Sequence, residues 1–455
     1  MSVTEKIADF IVTTDLTKMP GEVIGITKKA MLDTIGVALA GSVDPAGKII
    51  TAFVEKLGAK PVAGVIGGKV RTSSHLAALA NGTISHTLDY DDAGAYTQGH
   101  PSVVLIPVLL ALAEELNASG KEIIEAYVIG VEAWSKVSRA MPMLHLRGWH
   151  PTAVFGTIGA TATASKLLEL DVKQTTNALG LACSEAAGLG QNFGTMTKPF
   201  HAGNAARSGI MAALLAREGF TAAKDIMEGD MGFPAAFYGE SPANIPKMAE
   251  NLGAPFTLVS RGINVKRYPS CAGTHRPIDA LLHIIDSYEI KPEEVAAVDC
   301  RVSPRAKKIL LYDNPNTGFE GKFSIPFVMA AAIQDRKIEL AQFTDEYVNS
   351  PAIKGLMRKV SLSIHPDWAE GKDTDARPDI VAIKLADGRE YSYGVALAKG
   401  HEKVPLTDEE FLSKYRECAK LVLGDKEIER CLELINRLDK LEDISELMGI
   451  LVFPR

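Results

Sequence analysis

Seven successive segments within the first 260 residues carry apolar side chains at helical spacing, and this feature restricts the possible folds more than any other. Leu105, Leu109 and Leu112 are representative, because residues three or four positions apart lie on one face of an α-helix. The predicted helices cover residues 22–40, 74–88, 103–116, 121–140, 152–168, 173–187 and 202–216. This succession predicts a large all-helical domain and a mainly α fold class.

The pattern changes after about residue 265, where short segments alternate between apolar and polar residues. The predicted strands cover residues 294–302, 360–365, 380–385 and 390–394, and predicted helices between them cover 276–288 and 324–332. Asp387-Gly388 separates the last two strands, as in a tight β-hairpin. We therefore expect a smaller α+β lid domain built on an antiparallel sheet.

Helical spacing returns near the end of the chain. Thr407 and Glu410 form a capping-box pattern, and the amphipathic pattern then continues to Leu451. We expect these last helices to pack on the first domain, so that the lid is an insertion. The predicted domains are residues 1–264 with 405–455, and residues 265–404.

Charge and composition exclude several classes of protein. The 49 basic and 56 acidic residues leave a net charge of −7, which gives no basic field for nucleic acid. The longest apolar run, residues 103–113, is shorter than the ~20 residues of a membrane helix, so no membrane partner is expected. The first ten residues lack an apolar signal segment, and the five cysteines contain no CxxC pair. A cytoplasmic protein with reduced thiols and no zinc site is the expectation.

An acidic string, Asp89-Tyr90-Asp91-Asp92, follows a predicted helix and precedes His100. Carboxylates at a helix C-terminus oppose the helix dipole, so another group is needed to hold them. One interpretation is that they position or polarise a histidine such as His100. The alternative is a solvated loop without a chemical role.

Two further positions are candidates for chemistry. His150-Pro151 begins a helix of small residues, and the free N–H groups of a helix start attract anions. Lys198 is a lone cation among apolar and small residues, where a lysine either meets an anion or loses its proton. A structural histidine and a lysine that reaches solvent are the alternatives. The glycines of residues 188–203 follow a predicted helix rather than a strand, which argues against a dinucleotide site.

Cations gather at the predicted domain junction. Lys266, Arg267 and His275 surround the start of a predicted helix, and a helix start flanked by cations is a good carboxylate receptor. Cys271 lies in the same stretch, but it has no histidine at catalytic spacing, so we interpret it as a small buried thiol.

Six strings in order along the chain together resemble the MmgE/PrpD family. They are AALANGTISHTLDYDDA, GHPSVVLIPVLLALAE, GWHPTAVFGTIGATATASKLL, GLACSEAAGL, MTKPFHAGNAARSGIMAALLA and KRYPSCAGTHRPID. The resemblance implies an all-helical domain with an α+β lid, a homodimer, no metal or organic cofactor, and a pocket between the domains.

The resemblance also implies which residues act. Those that match the family's motifs as catalytic residues are Asp89, His100, His150, Lys198 and His275, and we assign substrate binding to Asp92, Gln191, Lys266, Arg267 and Ser270. Two departures remove a hydroxyl group. Ala93 stands where family members often have threonine, and Phe327 where decarboxylase-type members have tyrosine.

The activities implied by the resemblance share chemistry at a carbon beside a carboxylate. We expect Lys198, Lys266 and Arg267 to bind substrate carboxylates, because cations stabilise the negative charge that develops there. His100 and His150 would exchange protons, Asp89 would hold one of them in the required tautomer, and His275 would complete the site when the lid closes.

The expected enzyme is a lyase, most simply a dehydratase (hydro-lyase) acting on a small hydroxylated di- or tricarboxylate. The alternatives are a cofactor-free epimerase or isomerase of an imino- or amino-dicarboxylate, and a cis-aconitate-type decarboxylase. A degenerate polycarboxylate-binding protein is the non-enzymatic alternative.

Overall fold

The chain folds mainly into α-helices, as predicted. The computed structural model describes residues 1–94, 96–239, 244–365 and 377–453. The helices before residue 265 are α1 (Val3–Thr13), α2 (Glu22–Ser42), α3 (Pro45–Leu57), α4 (Ser74–His86), α5 (Ser102–Leu116), α6 (Gly120–Ser138), α7 (Pro151–Leu167), α8 (Val172–Glu185), α9 (Thr197–Arg217), α10 (Phe233–Tyr238) and α11 (Thr257–Arg261). A short antiparallel pair, β1 (Ala63–Gly64) and β2 (Arg71–Thr72), lies between α3 and α4.

Close helix packing at the centre of this region depends on small residues. α4 and α9 meet at Gly82 and Gly203, where a Cβ on Gly203 would lie 2.1 Å from the carbonyl oxygen of Leu79. Because neither position carries a side chain, the two backbones approach each other directly. This contact brings the C-terminal end of α4 beside the N-terminal half of α9.

The second region contains the sheet. Its elements are α12 (Ala272–Tyr288), β3 (Val295–Val302), α13 (Pro304–Ile309), α14 (Gly318–Gly321), α15 (Ile325–Asp335), α16 (Asp345–Val348), α17 (Pro351–Met357), β4 (Val360–Ile364), β5 (Asp379–Leu385) and β6 (Glu390–Val395). The strand order is β4-β3-β5-β6. The predicted hairpin is confirmed, because β5 and β6 pair antiparallel with Ile383 opposite Tyr391.

The expectation of a purely antiparallel sheet is wrong. β3 and β4 are parallel, with Cys300 opposite Leu362. Five helices, α13 to α17, lie between these two strands along the chain. Such a long connection lets the chain cross over and return in the same direction, which a short hairpin cannot do.

The C-terminal helices are α18 (Asp408–Ala419), α19 (Asp425–Asn436) and α20 (Ser445–Leu451). The predicted capping box is confirmed, because the Thr407 side chain accepts a hydrogen bond from the Glu410 backbone and Glu410 accepts one from Thr407. Lys414 of α18 forms a buried ion pair with Asp33 of α2, with 2.7 Å between Nζ and Oδ1. The end of the chain is thereby attached to the first helices.

Most buried apolar side chains fall into two clusters. The larger takes its members from residues 7–265 and 406–452, and the second from residues 268–385. The predicted domain boundaries, and the description of residues 265–404 as a lid, stay predictions. Among the described residues, no single helix has both the length and the apolar character needed to cross a bilayer, although the bent pair of α2 and α3 meets those criteria jointly.

Candidate active site

The acidic string lies in a loop rather than at the end of a helix. α4 ends at His86, two residues earlier than the predicted boundary, and Asp89 adopts a left-handed backbone conformation with φ of +50°. The turn directs Asp89, Asp91 and Asp92 to three different sets of partners, and all three side chains are buried. The unfavourable position at a helix C-terminus is therefore avoided, and each carboxylate is held separately.

Asp89 binds two ammonium groups. Its Oδ1 lies 2.7 Å from Nζ of Lys198 and 2.6 Å from Nζ of Lys266, and Lys266 also donates to the Asp89 carbonyl at 2.8 Å. Burial favours a raised pKa for Asp89, but the two lysines more than offset it and hold the pKa well below the ordinary value. Burial favours a lowered pKa for Lys266, yet Asp89 keeps that pKa above its ordinary value. The trio is ionised and carries a net positive charge.

Lys198 reaches this position because α9 begins at Thr197, five residues before the predicted start. Pro199 is tolerated because proline lacks a backbone N–H, and N–H groups in the first turn of a helix have no carbonyl partner within the helix. The Lys198 side chain is only 6% exposed, and its Nζ lies 5.8 Å from the ring centroid of Phe193 and 5.2 Å from that of Phe323. Of the alternatives left by the sequence, the lysine that meets an anion is the one observed.

Asp91, rather than Asp89, holds a histidine. Its Oδ1 lies 2.9 Å from Nδ1 of His86, and its Oδ2 lies 2.9 Å from Nδ1 of His100. Nδ1 of His100 also lies 2.8 Å from the carbonyl oxygen of Asp92. The role predicted for Asp89 is thus wrong, because the left-handed turn at Asp89 directs its carboxylate to the lysines. With Nδ1 as donor, neutral His100 leaves Nε2 unprotonated.

His150 precedes α7, which begins at Pro151 as the His-Pro pattern predicts. Its Nδ1 lies 3.1 Å from Nδ1 of His201, and its ring packs edge-on against Phe193. Burial, followed by the nearby charge of Lys198, lowers the pKa of His150 well below its usual range. His150 is therefore neutral at physiological pH.

His275 comes from α12, in the second region. Its Nε2 lies 3.2 Å from the carbonyl oxygen of Ser270, and its ring packs edge-on against Tyr268. Burial and the charge of Lys266 lower the pKa of His275 to about 3. This neutral histidine contributes to the same cavity as Asp89 and the lysines.

A cavity of about 260 Å³ joins these groups. Its described lining includes all five predicted catalytic residues together with Lys266. The lining contains five cationic side chains, Lys198, Lys266, Arg276, Arg305 and Lys399, but one carboxylate, that of Asp89. Such an excess of positive charge in a partly enclosed cleft attracts small polyanions.

Four residues assigned to substrate binding lie elsewhere in the structure. Gln191 is exposed in a short 3₁₀ turn, and Arg267 is exposed with its guanidinium 4.0 Å from Asp279. Ser270 is buried and bonds Thr274. Asp92 accepts hydrogen bonds from the backbone and side chain of Ser102, at the start of α5. Their side chains serve the fold around the cavity instead of lining it, which differs from the prediction.

The two departures from the family pattern have different positions. Ala93 lines the cavity, so the missing hydroxyl changes its surface. Phe327 is fully buried in the second core and packs against Phe343 and Tyr347. Only the change at Ala93 bears directly on the chemistry.

Several groups of the site were missed from the sequence. His86 lies three residues before Asp89, and this proximity to the acidic string was the available signal. Asp91 belongs to that string, for which the sequence already suggested a role in positioning His100. His201 lies three residues after Lys198, one turn further along α9. Arg276 directly follows His275 in the sequence. The other missed cavity residues come from distant parts of the chain, and no local pattern predicts them: His145, Arg305, Lys399 and His401.

His86, Asp89, Asp91 and His100 also form a set of possible metal donors, with ligand atoms within 4.8 Å of one another. Imidazole and carboxylate groups can bind divalent transition metals. However, Oδ1 of Asp89 is already in contact with the ammonium groups of Lys198 and Lys266, which would repel a cation at that position. The donor set therefore fits paired charges better than it fits a metal ion.

The sequence of this chain is similar to one protein family along almost its whole length. Residues 5–246 match the model of the MmgE/PrpD N-terminal domain, and residues 268–440 match that of the MmgE/PrpD C-terminal domain. The chain is 29% identical to cis-aconitate decarboxylase of Mus musculus and of Homo sapiens, with all of this chain and 94% and 95% of those proteins aligned. It is 26% identical to cis-aconitate decarboxylase of Aspergillus terreus, with 96% of this chain and 93% of that protein aligned.

Proposed function

Since this chain belongs to the MmgE/PrpD family, we propose that it is a cofactor-independent lyase acting on a small tricarboxylate, with decarboxylation of cis-aconitate as its reaction. Three relatives aligned over almost the whole chain bear the name of that activity. Dehydration, the reaction expected from the sequence, is the second candidate.

The observation that carries the proposal is the charge of the cavity. Lys198 and Lys266 share one carboxylate, so the trio keeps one positive charge in a dry environment. Three more cations, Arg276, Arg305 and Lys399, line the same space. A substrate with several carboxylates matches this distribution, because one carboxylate can approach the buried Lys198 and Lys266 and another the partly exposed cations. Of the latter, Arg276 and Lys399 also pair with Asp379 and Glu410.

Decarboxylation requires few groups of the protein. The bond between carbon and the departing carboxylate breaks, CO₂ leaves, and the bonding electron pair remains on the substrate, conjugated with a neighbouring carboxylate. The cations of the cavity stabilise that charge. One proton added to carbon completes the reaction, so a tricarboxylate and a proton give CO₂ and an unsaturated dicarboxylate.

His100 is placed to supply the proton. The Asp91 carboxylate, 2.9 Å from Nδ1, compensates the charge of a protonated ring. Among the described residues none hydrogen-bonds Nε2 of His100, and the residue lines the cavity. His150 stays neutral beside Lys198, so it acts as a hydrogen-bond partner or weak base. Removal of a true proton donor lowers the rate by roughly 10²- to 10⁴-fold.

Dehydration of a hydroxylated tricarboxylate is the second candidate, and the position of Ala93 favours it. Family members often carry threonine there, whereas this chain presents a methyl group to the cavity. The smaller, apolar surface leaves room for a substrate hydroxyl beside the acid string. In that reaction His150 removes the proton and His100 protonates the departing hydroxide.

The deciding experiment follows product formation by ¹H NMR with purified protein and either cis-aconitate or 2-methylcitrate. Decarboxylation consumes cis-aconitate and releases labelled CO₂ from the labelled acid, whereas dehydration forms an alkene from the hydroxy acid without CO₂. Proton exchange in D₂O without either product would indicate an epimerase. Absence of turnover together with calorimetric binding of the acids would indicate a binding protein, and both of these outcomes contradict the proposal.

Matched histidine variants test the site itself. His100→Gln and His150→Gln should each lose most turnover, while His283→Gln should keep it, because His283 is exposed and packs on Tyr393. Equal activity of all three variants would rule out the assigned roles. Dialysis against a chelator should leave the rate unchanged if no metal takes part.

The homodimer and the closing lid belong to the same proposal. Static light scattering should give twice the 48.8 kDa mass of the chain, and a monomer mass would contradict the dimer. Closure of residues 265–404 over the cavity should reduce the radius of gyration in small-angle scattering when a tricarboxylate is added. An unchanged radius would argue that the cavity is preformed.

A further inference from the structure

We propose that His86 and Asp91 form a buried positioning pair that orients His100 and compensates its charge while it transfers a proton. This inference rests on the proposed function, in which His100 is the proton donor. It assigns roles to two residues that do not touch the substrate themselves. Neither side chain lines the cavity among the described residues.

The geometry is a carboxylate between two imidazoles. Asp91 is fully buried and His86 is 1% exposed. Their contact, 2.9 Å between Oδ1 and Nδ1, joins the acidic loop to the last residue of α4. The other oxygen of Asp91 faces Nδ1 of His100 at the same distance. One oxygen of the carboxylate thus bonds the supporting ring, and the other lies at ion-pair distance from the reacting ring, whose Nδ1 is also 2.8 Å from the carbonyl oxygen of Asp92.

His86 has features that a purely structural core residue would not need. Its Nε2 is buried and has no hydrogen-bond partner among the described residues, which carries a free-energy cost. Its ring lies 4.6 Å from the ring of His100 and 5.9 Å from that of His150, measured between centroids. An apolar side chain would avoid the cost. The imidazole supplies what an apolar group cannot, an N–H donor that fixes the Asp91 carboxylate.

The charge states support this division of roles. Burial and the nearby Lys198 keep His86 neutral, with a pKa of about 3 despite the opposing effect of Asp91. Burial favours a raised pKa for Asp91, but His86 and His100 together hold it well below the ordinary value. The pair therefore presents a permanent negative charge to His100, which favours the protonated ring.

Among the other charged and titratable groups near the rings of His86 and His100, some raise and some lower the pKa of these histidines. Lys198 and the neutral His150 surround His86, while the ionised Asp89 lies on the loop side. Lys266 and Asp33 interact with Asp91 over longer distances. None of these groups contacts Nδ1 of His100. Asp91 is the carboxylate in direct contact with it, so its removal should change the titration of His100 most.

Asp91→Asn is the first test. Loss of the negative charge destabilises protonated His100, so the alkaline limb of the pH profile of kcat should move to lower pH by about one unit or more. The value of kcat at neutral pH should fall about 10²-fold or more, while KM changes little, because the residue does not touch the substrate. Glu132→Gln is the matched control, since Glu132 is equally buried and caps a different segment at Gly253 and Thr257.

His86 is tested by rescue. His86→Asn keeps an N–H donor close to the position of Nδ1, whereas His86→Leu removes it. The asparagine variant should retain at least about tenfold more activity than the leucine variant at comparable thermal stability. Equal activity of the two variants would overturn the role of His86, because packing alone would then explain its presence.

Histidine-selective ¹⁵N NMR separates this inference from the proposed function. The titration midpoint of His100 is measured without substrate, and it should fall in Asp91→Asn but not in Glu132→Gln. If the protein neither binds nor converts any tricarboxylate, the proposed function fails. The His100 midpoint still tests whether Asp91 and His86 act on His100. An unchanged His100 midpoint in Asp91→Asn would overturn the inference whatever the reaction.

Discussion

At the scale of single residues, the site depends on how three neighbouring aspartates are partnered. Asp89 binds two lysines, Asp91 binds two histidines, and Asp92 bonds a serine at the start of α5. A buried charge is tolerated only when it is paired, and breaking such a pair costs about 3–5 kcal/mol. Each aspartate therefore makes a separate prediction.

Lys198→Met and Lys266→Met should each reduce kcat/KM for a tricarboxylate by about 10²- to 10³-fold, since each removes a cation from the reacting charge. Steady-state kinetics checks this, with thermal unfolding as a measure of folding. Lys337→Met is the control, because Lys337 is 56% exposed and pairs with the surface residue Glu339. A loss confined to stability, with normal kinetics of the folded fraction, would contradict a role in binding.

Asp92 predicts a pH dependence of stability. Burial raises the pKa of Asp92 to about 7, although its bonds to Ser102 act in the opposite direction. The unfolded chain has a pKa near ~4, so the free energy of unfolding should fall as pH rises from about 4 to about 7, by at most about 1.4 kcal/mol per pH unit. Asp92→Asn removes this slope. Between pH 5 and pH 8, denaturant unfolding should show the free energy of unfolding falling more in the wild type than in the variant. Equal changes in the two proteins would disprove the raised pKa of Asp92.

At the scale of elements, the packing of α4 against α9 decides whether Asp89 and Lys198 meet. Asp89 follows α4 by three residues, and Lys198 lies in the first turn of α9. The two helices touch through Gly82 and Gly203. A displacement of either helix would lengthen the 2.7 Å contact between the carboxylate and the ammonium group.

Gly203→Ala should therefore lower both stability and activity. Its Cβ would lie 2.1 Å from the Leu79 carbonyl oxygen, so the helices must separate, at a cost of about 1–3 kcal/mol. Gly25→Ala is the control in α2, where no atom lies within 4 Å of the added Cβ. That variant should be more stable by roughly 0.5–1 kcal/mol, because alanine is the better helix former. Thermal unfolding and turnover would reveal the contrast, and a neutral Gly203→Ala would refute the packing argument.

At the scale of the whole molecule, charge is distributed unevenly. The chain carries a net charge of −7, while the described lining of the cavity has five cations and one carboxylate. The acidic residues therefore lie mostly outside the cavity. The local field in the cavity, rather than the total charge, determines which ligand is attracted.

Salt should weaken this attraction. KM for a tricarboxylate should rise several-fold between about 20 and 200 mM ionic strength, because the Debye screening length shortens over that range from ~20 Å to below ~10 Å. Sodium chloride and choline chloride should act equally if screening is the cause. A KM that does not respond to either salt would mean that the bound carboxylates are neutralised by direct contact alone.

Much of the fold follows from local patterns. The seven helices predicted within the first 260 residues, the capping box at Thr407 and the β5–β6 hairpin depend on neighbours in sequence, whereas α1, α3, α10 and α11 were not predicted. The parallel pairing of β3 with β4 was not, because it is set by a crossover of five helices. Register between distant strands depends on packing, which periodicity does not contain.

The sequence by itself determined the family and which histidines, lysines and acids were candidates for one site, because residue types and strings are local information. Only the tertiary structure decided the pairing. In the folded chain Asp89 contacts Lys198 and Lys266, and Asp91 contacts His100. Arg267 is exposed and does not line the cavity. Contacts between residues 100 or more positions apart depend on how the helices pack and on the left-handed turn at Asp89. Neither can be predicted from one segment of the sequence.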